Sequence, residues 1–389
     1  MNLAEIQDEL RRQRLDGWLF FDHHERDPLA YRILGFRPLR HVTRRWYYLI
    51  PAEGEPRGLV HRIESSMLDA LPGDKAVYSS WGEQVGALET MLAGRKRLAM
   101  QYSPNCAIPY VSLVDAGTVE LIRSLGAGVV SSAELIQHFE ARWNQAALES
   151  HLEAGRRIDR ILQSAFALIS ERTRDGAGTD EFMVKQFILD EFARAEMFTD
   201  HGPIVGVNAN SGNPHYEPTR EGTQAVRRGD FVLIDLWAKL NQPGAVYYDI
   251  TWTGHCGDSA PEKIRNVFAI VAGARDAAVG RVEEALANGQ DLRGFQVDDA
   301  AREYIRSRDY GQYFTHRTGH SIGEDVHGNG ANMDNLETHD ERRVIPWSCF
   351  SIEPGIYLDD FGVRSEVNVF VGEREARVTG AIQRELVLL

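Results

Sequence analysis

"GDFVLIDLWAKLNQPGAVYYDITWTG", residues 229–254, decides how this chain is read. "FVLIDLW" and "AVYYDITWT" are both strand runs, and "NQPG" at 241–244 between them is a turn signal. The segment therefore reads as a hairpin. Each strand carries one aspartate in an apolar setting, Asp235 and Asp249. Folding at 241–244 brings the two nearly opposite each other, and directly opposed residues have Cβ atoms ~5 Å apart. Residues 350–371, "FSIEPGIYLDDFGVRSEVNVFV", repeat the construction. Two strand runs flank the turn "LDDFG", with Glu353 and Glu366 in mirror positions about it.

Like charges facing each other weaken a sheet pair. Burying them costs more, because each ion loses hydration and repels its neighbour. Either each acid has a basic partner, with Arg364 and Lys239 the obvious candidates, or a cation sits between them. A third stretch bears on the choice. "THRTGHSIGEDVHG", residues 315–328, holds His316, His320 and His327. Gly319 and Gly323 make a continuous helix there unfavourable, so the stretch reads as a glycine-bent strand or a loop. Four carboxylates and an imidazole exceed what one tetrahedral zinc takes. They suit two divalent ions, with Mn2+ favoured by the oxygen donors and Co2+, Fe2+ or Zn2+ admitted by the imidazole. Such ion pairs, ~3.5–4 Å apart, acidify water and polarise carbonyls, which is hydrolytic chemistry.

The rest of the chain supplies the frame. It has 389 residues, 43% of them hydrophobic, and a formal charge of −14. That length suggests at least two domains. No window resembles a membrane span, and no basic stripe marks a nucleic-acid binder. Three scattered cysteines and an N-terminus without signal-peptide features point to the cytoplasm. Residues 17–130 alternate short strands with helices, an α/β texture. From about 132 the pattern turns helical, with Ile158, Ile161, Leu162, Ala165 and Leu168 at three and four spacing. Helices follow at 180–197, 261–287 and 297–307, the middle one with a capping box from Ser259 to Glu262. Strand pairs lie between and after them. The expected organisation is α+β, with domains at 1–140 and 141–389.

"IDLWAK", "YDITWTG", "TGHSIGEDVHG", "SIEPGIY" and "GVRSEVNVF", in this order, resemble the pita-bread metallopeptidases. These are the prolidases, aminopeptidase P and the methionine aminopeptidases, with creatinase a metal-free relative. The α/β region ahead of the motifs is similar to the creatinase-type N-terminal domain, which methionine aminopeptidases lack. The resemblance implies Asp235, Asp249, His320, Glu353 and Glu366 as metal ligands, with Glu353 also the general base. It implies His327 at the tetrahedral intermediate, His215 and His316 on the substrate side, and Arg364 supporting substrate and ligand loop. It further implies a homodimer and a short proline-containing peptide as substrate. The expected activity is that of an Xaa-Pro dipeptidase, with an aminopeptidase acting on longer peptides as the alternative. A metal-free hydrolase or a non-catalytic binding module would tolerate lost ligands, and none is lost. The chain departs from the family at four places. The aspartates are 14 apart, and Gly328 follows His327. Asp200 and His201 stand near where prolidases often have a tyrosine, and Arg342 and Arg343 precede "SIEPGIY" in an open register.

Overall fold

A computed structural model of the chain describes residues 1–36 and 41–389. They form two compact units, Met1–Glu140 and Ala141–Leu389.

The first unit is built on a six-stranded mixed sheet. Its strands are β1 (Gly17–Asp22), β2 (Trp46–Pro51), β3 (Arg57–His61), β4 (Asp74–Tyr78), β5 (Arg97–Met100) and β6 (Gly128–Ser131), in the order β4-β3-β2-β1-β5-β6. Every residue of β1 and β2 is buried. Side chains alternate between faces along a strand, so this requires cover on both sides. Trp18 and Phe20 pack with α1 (Leu3–Arg12), α2 (Pro28–Leu34) and α5 (Ala133–Glu140). Leu19 and Phe21 pack with α3 (Trp81–Leu92) and α4 (Ala116–Ser124). The strands and helices expected from the texture of 17–130 are all present.

In the second unit α6 (Gln145–Arg174) runs separately from α5. Asn144 starts it, accepting the Ala147 N–H at 2.8 Å, so the expected helical stretch is broken at 141–144. Along α6, Ile158, Ile161, Leu162 and Ala165 are buried as the spacing implies, but the core continues through Phe166 and Ile169, with Leu168 half-exposed. After the short β7 (Thr179–Asp180) come α7 (Glu181–Arg194), β8 (Met197–Phe198), β9 (Ile204–Val207) and β10 (Ala225–Val226). Then follow β11 (Phe231–Leu240), β12 (Tyr248–His255), α8 (Glu262–Ala287) and α9 (Gly294–Arg306). The cap of α8 is Pro261 with no side-chain bond, so Ser259 does not cap it. The chain closes with β13 (Ser321–Ile322), β14 (Ser348–Ile352), β15 (Gly355–Tyr357), β16 (Gly362–Arg364), β17 (Val367–Val371), β18 (Ala376–Thr379) and β19 (Val387–Leu388).

One sheet orders β19-β12-β11-β8, with β9 also on β11, and the other orders β13-β14-β17-β18. Each has its own helix pair. Val232, Ile234, Leu236 and Ala238 of β11 pack on α6 and α7. Phe231 and Leu233 instead join α8, α9, β14 and β17 in a second core. Period-two alternation thus sends Asp235 away from the α6–α7 layer, toward the second sheet. Tyr248 and Ile250 of β12 likewise belong to the α6–α7 core, which leaves Asp249 and Thr251 on the opposite face. Among the described residues no helix is long and apolar enough to cross a membrane.

One histidine in this frame sets a pH-dependent stability. His151 of α6 is fully buried, with Nδ1 2.6 Å from the Tyr247 carbonyl and Nε2 2.7 Å from Thr379 Oγ1. A carbonyl only accepts, so Nδ1 carries the proton and Nε2 accepts from the hydroxyl. Burial pushes the imidazole down to about 4 from 6.5. The unfolded chain therefore binds the extra proton first, and stability falls as pH drops from 6.5 toward 4. The full loss is about 3 kcal/mol. Urea unfolding against pH measures it, and His151→Gln is expected to remove that part of the slope. An unchanged slope in the variant would exclude His151 as its source.

Candidate metal centre

The first hairpin forms with a modest change of register. Asp235 pairs with Thr251, and Asp249 with Trp237. The aspartates are diagonal rather than opposite, and β12 begins at Tyr248, leaving 241–247 as a longer turn. Diagonal neighbours share a face and lie ~7–8 Å apart, within reach of ligands on a common ion. In the second hairpin β14 pairs with β17 and β15 with β16. Both ladders keep one register, which sets Glu353 against Glu366 in the gap between them. There the backbones turn outward. The Glu353 N–H donates to the Thr318 carbonyl at 2.7 Å and the Glu366 N–H to the Thr251 carbonyl at 3.2 Å. The second bond stitches the two hairpins together.

The histidine stretch is mostly loop, with the two-residue β13 pairing β14. Gly319 lets it approach: a Cβ there would sit 1.8 Å from the Ser351 carbonyl oxygen. His320, next to it, donates its backbone N–H to Ser351 Oγ at 3.0 Å. Its Nδ1 lies 3.2 Å from the Ser321 carbonyl and so carries the proton, which turns the Nε2 lone pair toward the acids. Nε2 is 3.4 Å from Glu353 Oε1 and 3.6 Å from Asp249 Oδ2. Donor atoms of Asp249, His320 and Glu366 all fall within 4.8 Å of one another. Asp235 and Glu353 flank this trio.

Arg364 accounts for part of the charge. It donates to Asp235, and its Nε lies 3.8 Å from Glu353 Oε2. Lys239 does not take part; it bonds the Glu324 carbonyl. One guanidinium thus serves two acids, and Asp249 and Glu366 are left with His320 and hydroxyls. Asp235 Oδ1, Asp249 Oδ1 and Glu366 Oε1 are buried with no hydrogen-bond partner. Buried carboxylate oxygens are ordinarily satisfied, so three orphans from three strand segments fit a cation site. Burial, opposed by Arg364 and reinforced by Asp249, pushes Asp235 up to about 7. Burial and neighbouring acids hold Asp249 and Glu366 well above the carboxylate range. At Glu353 burial acts upward, but His320, His316 and Arg364 outweigh it and hold the group low.

Around the cluster, Arg364 Nη1 donates to the Tyr357 hydroxyl at 3.1 Å, which lies 2.7 Å from His316 Nε2. His316 Nδ1 meets the Arg317 carbonyl at 2.6 Å, so Nε2 accepts from the tyrosine. The His327 ring lies 4.4 Å from that of His320 at 81°. Although His327 is exposed at its rim, the neighbouring imidazole and then burial lower it to about 3. His215 stands apart: it is exposed and makes no hydrogen bond or ion pair with the cluster among the described residues. His201 is exposed beside Asp200, 3.3 Å away. Arg342 is buried against Asp340 at 2.6 Å and bonds the Asn329 carbonyl, so its charge is spent inside the fold.

Four supporting residues escaped the sequence reading. Thr251 Oγ1 donates to Glu366 at 2.8 Å and accepts from Arg364 Nε at 3.0 Å. Ser351 Oγ donates to Glu353 at 3.1 Å. Asn368 brackets Asp249, accepting its backbone N–H at 3.1 Å and donating to its carbonyl. Each lies two residues from an acid in its own strand segment, so strand periodicity was the available signal. Tyr357 lies inside "EPGIY" itself.

An acid-rich, imidazole-bearing cluster between two helix-backed sheets defines a class: a pita-bread domain with a candidate cation site. The chain belongs to metallopeptidase family M24, whose profile matches residues 149–373. It is similar to a putative Xaa-Pro aminopeptidase of Mycoplasma pneumoniae, 30% identical over 51% of this chain and 52% of that one. It is also similar to an Xaa-Pro dipeptidase of Pyrococcus furiosus, 31% identical over 59% of this chain and 60% of that one. The chain thus spans little more than half the length of these relatives. Dipeptidase PepE from Mycobacterium ulcerans shares the fold, with a TM-score of 0.71 at 22% identity over 99% of this chain and 96% of that one.

Proposed function

We propose that this chain is a two-metal hydrolase of the peptide bond before proline in short peptides, acting foremost as an Xaa-Pro dipeptidase. The observation that carries the reading is the set of orphaned buried oxygens on Asp235, Asp249 and Glu366 beside the Nε2 of His320. Asp235, Asp249, His320, Glu353 and Glu366 would hold the ions, with Mn2+ favoured by the oxygen-rich donor set. Bound there, divalent cations acidify a water and polarise the scissile carbonyl.

The chain's own groups do the rest. Glu353, which accepts the Ser351 hydroxyl and lies 3.8 Å from Arg364 Nε, takes the proton of the attacking water and delivers it to the leaving nitrogen. His327, at the rim beside His320, donates to the oxygen on which charge develops. Arg364 fixes Asp235 and, through Tyr357, fixes the His316 ring on the substrate side. His215 closes the substrate side from its loop. A bond before proline has no amide N–H, so recognition through the carbonyl and end groups suits this substrate. The resemblance to prolidases also supports a cytoplasmic homodimer.

The names of the relatives divide between dipeptidase and aminopeptidase, and one solved relative is named a dipeptidase without mention of proline. The test is a peptide panel with Mn2+: Ala-Pro, Ala-Pro-Ala, longer Xaa-Pro peptides and Ala-Ala. Cleavage of Ala-Pro alone is expected. Cleavage of only the longer peptides makes the chain an aminopeptidase, and preference for Ala-Ala removes the proline specificity.

A further inference from the structure

Glu181 is the first residue of α7 and is fully buried. Among the described residues no cationic side chain pairs with it. Its carboxylate instead collects donors from a single loop. Oε1 accepts the Val207 N–H at 2.7 Å and Asn210 Nδ2 at 2.9 Å. Oε2 accepts the Tyr216 hydroxyl at 2.6 Å and the Gln224 N–H at 2.8 Å. The positive end of α7 favours the same charge. Four hydrogen-bond donors satisfy this buried carboxylate without a basic partner.

That loop, 207–224, carries His215 immediately before Tyr216. Its far side is seated on the hairpin of Tyr357 and Arg364. Ser211 Oγ accepts the Gly362 N–H at 2.9 Å. A Cβ on Gly212 would lie 2.7 Å from the Leu358 carbonyl oxygen, and one on Gly362 would lie 2.3 Å from that of Ser211. The loop is therefore wedged between α7 and the β15–β16 turn. A second strap, Lys185 to Glu217 at 2.7 Å, lies one helical turn along α7.

We propose that Glu181 is the positioning residue for His215, holding an exposed histidine at a fixed place relative to Arg364. This rests on reading His215 as a substrate-side residue. A carboxylate only accepts, whereas glutamine puts an NH2 where two loop donors already point. Glu181→Gln should therefore release the loop without touching the cation ligands.

The test is a double-mutant cycle in the full, Mn2+-loaded chain, with Ala-Pro as substrate. Glu181→Gln is expected to lower kcat ~10–100-fold, with KM and bound metal nearly constant, because small misplacements of a reacting group cost rates of this size. In a His215→Ala background the same change is expected to cost nothing. Amide exchange should rise within 207–224 and stay unchanged elsewhere. If Glu181→Gln does not fold, Tyr216→Phe removes a single donor and should show the same pattern at smaller amplitude. Equal losses with and without His215, or unchanged exchange in 207–224, overturn the proposal. A fully active His215→Ala enzyme overturns the assignment of His215 itself, a separate result.

Discussion

Replacing Glu366 by glutamine is expected to abolish cation binding and peptidase activity while leaving the cation-free chain at least as stable as before. Glu366 is buried between Thr251 and the other acids, with Oε1 unpartnered. Among the described residues Glu366 makes no ion pair, and burial followed by the neighbouring Asp249 and Glu353 disfavours its ionised form in the folded chain. Glutamine keeps its size and can still accept from Thr251. What it cannot supply is the negative ligand. A ligand at a hundred times its Kd stabilises the folded state by about 2.7 kcal/mol, so the parent should melt higher when Mn2+ is added. The variant should show the parent's melt after chelation, or a higher one, and no response to Mn2+. A normal Mn2+ response in the variant would remove Glu366 from the site.

Glu353→Gln is expected to behave differently. Glu353 lies outside the tight trio of Asp249, His320 and Glu366, and it is the cluster acid held low by its neighbours. Its loss should lower kcat ~10²–10⁴-fold, the range for a general base, with metal still retained by the trio. Single-turnover hydrolysis of Ala-Pro beside metal analysis separates the two effects. Loss of all metal would make Glu353 a ligand first, and near-normal kcat would deny it the proton transfer.

These effects follow from features of unequal visibility in the sequence. The two hairpins were legible because strand runs, turn residues and mirrored acids are local signals. The glutamates proved opposed through the register of the flanking ladders. The aspartates proved diagonal, because Ala245, Val246 and Tyr247 stay in the turn and shift the pairing by two residues, so that Asp235 faces Thr251 instead of Asp249. His320 was legible only through the motif "TGHSIGEDVHG" as a whole; its neighbouring glycines argued against a helix, and the close backbone approach at Gly319 emerged only from the fold. Thr251, Ser351 and Asn368 were not seen, because a hydroxyl or amide in a strand has no distinctive pattern until its acid neighbour is known. Glu181 was wholly hidden. It reads as one acid at a helix start, and its role arises only when a loop more than 25 residues later folds back onto it.

The central claim is that the orphaned carboxylate oxygens are ligands. The most direct measurement is calorimetric titration of Mn2+ into chelator-treated protein, with Ala-Pro hydrolysis followed at each addition. The account predicts saturable binding of two ions per chain and hydrolysis that rises with their occupancy. No binding above that of Glu366→Gln, or hydrolysis undiminished after chelation, would contradict it.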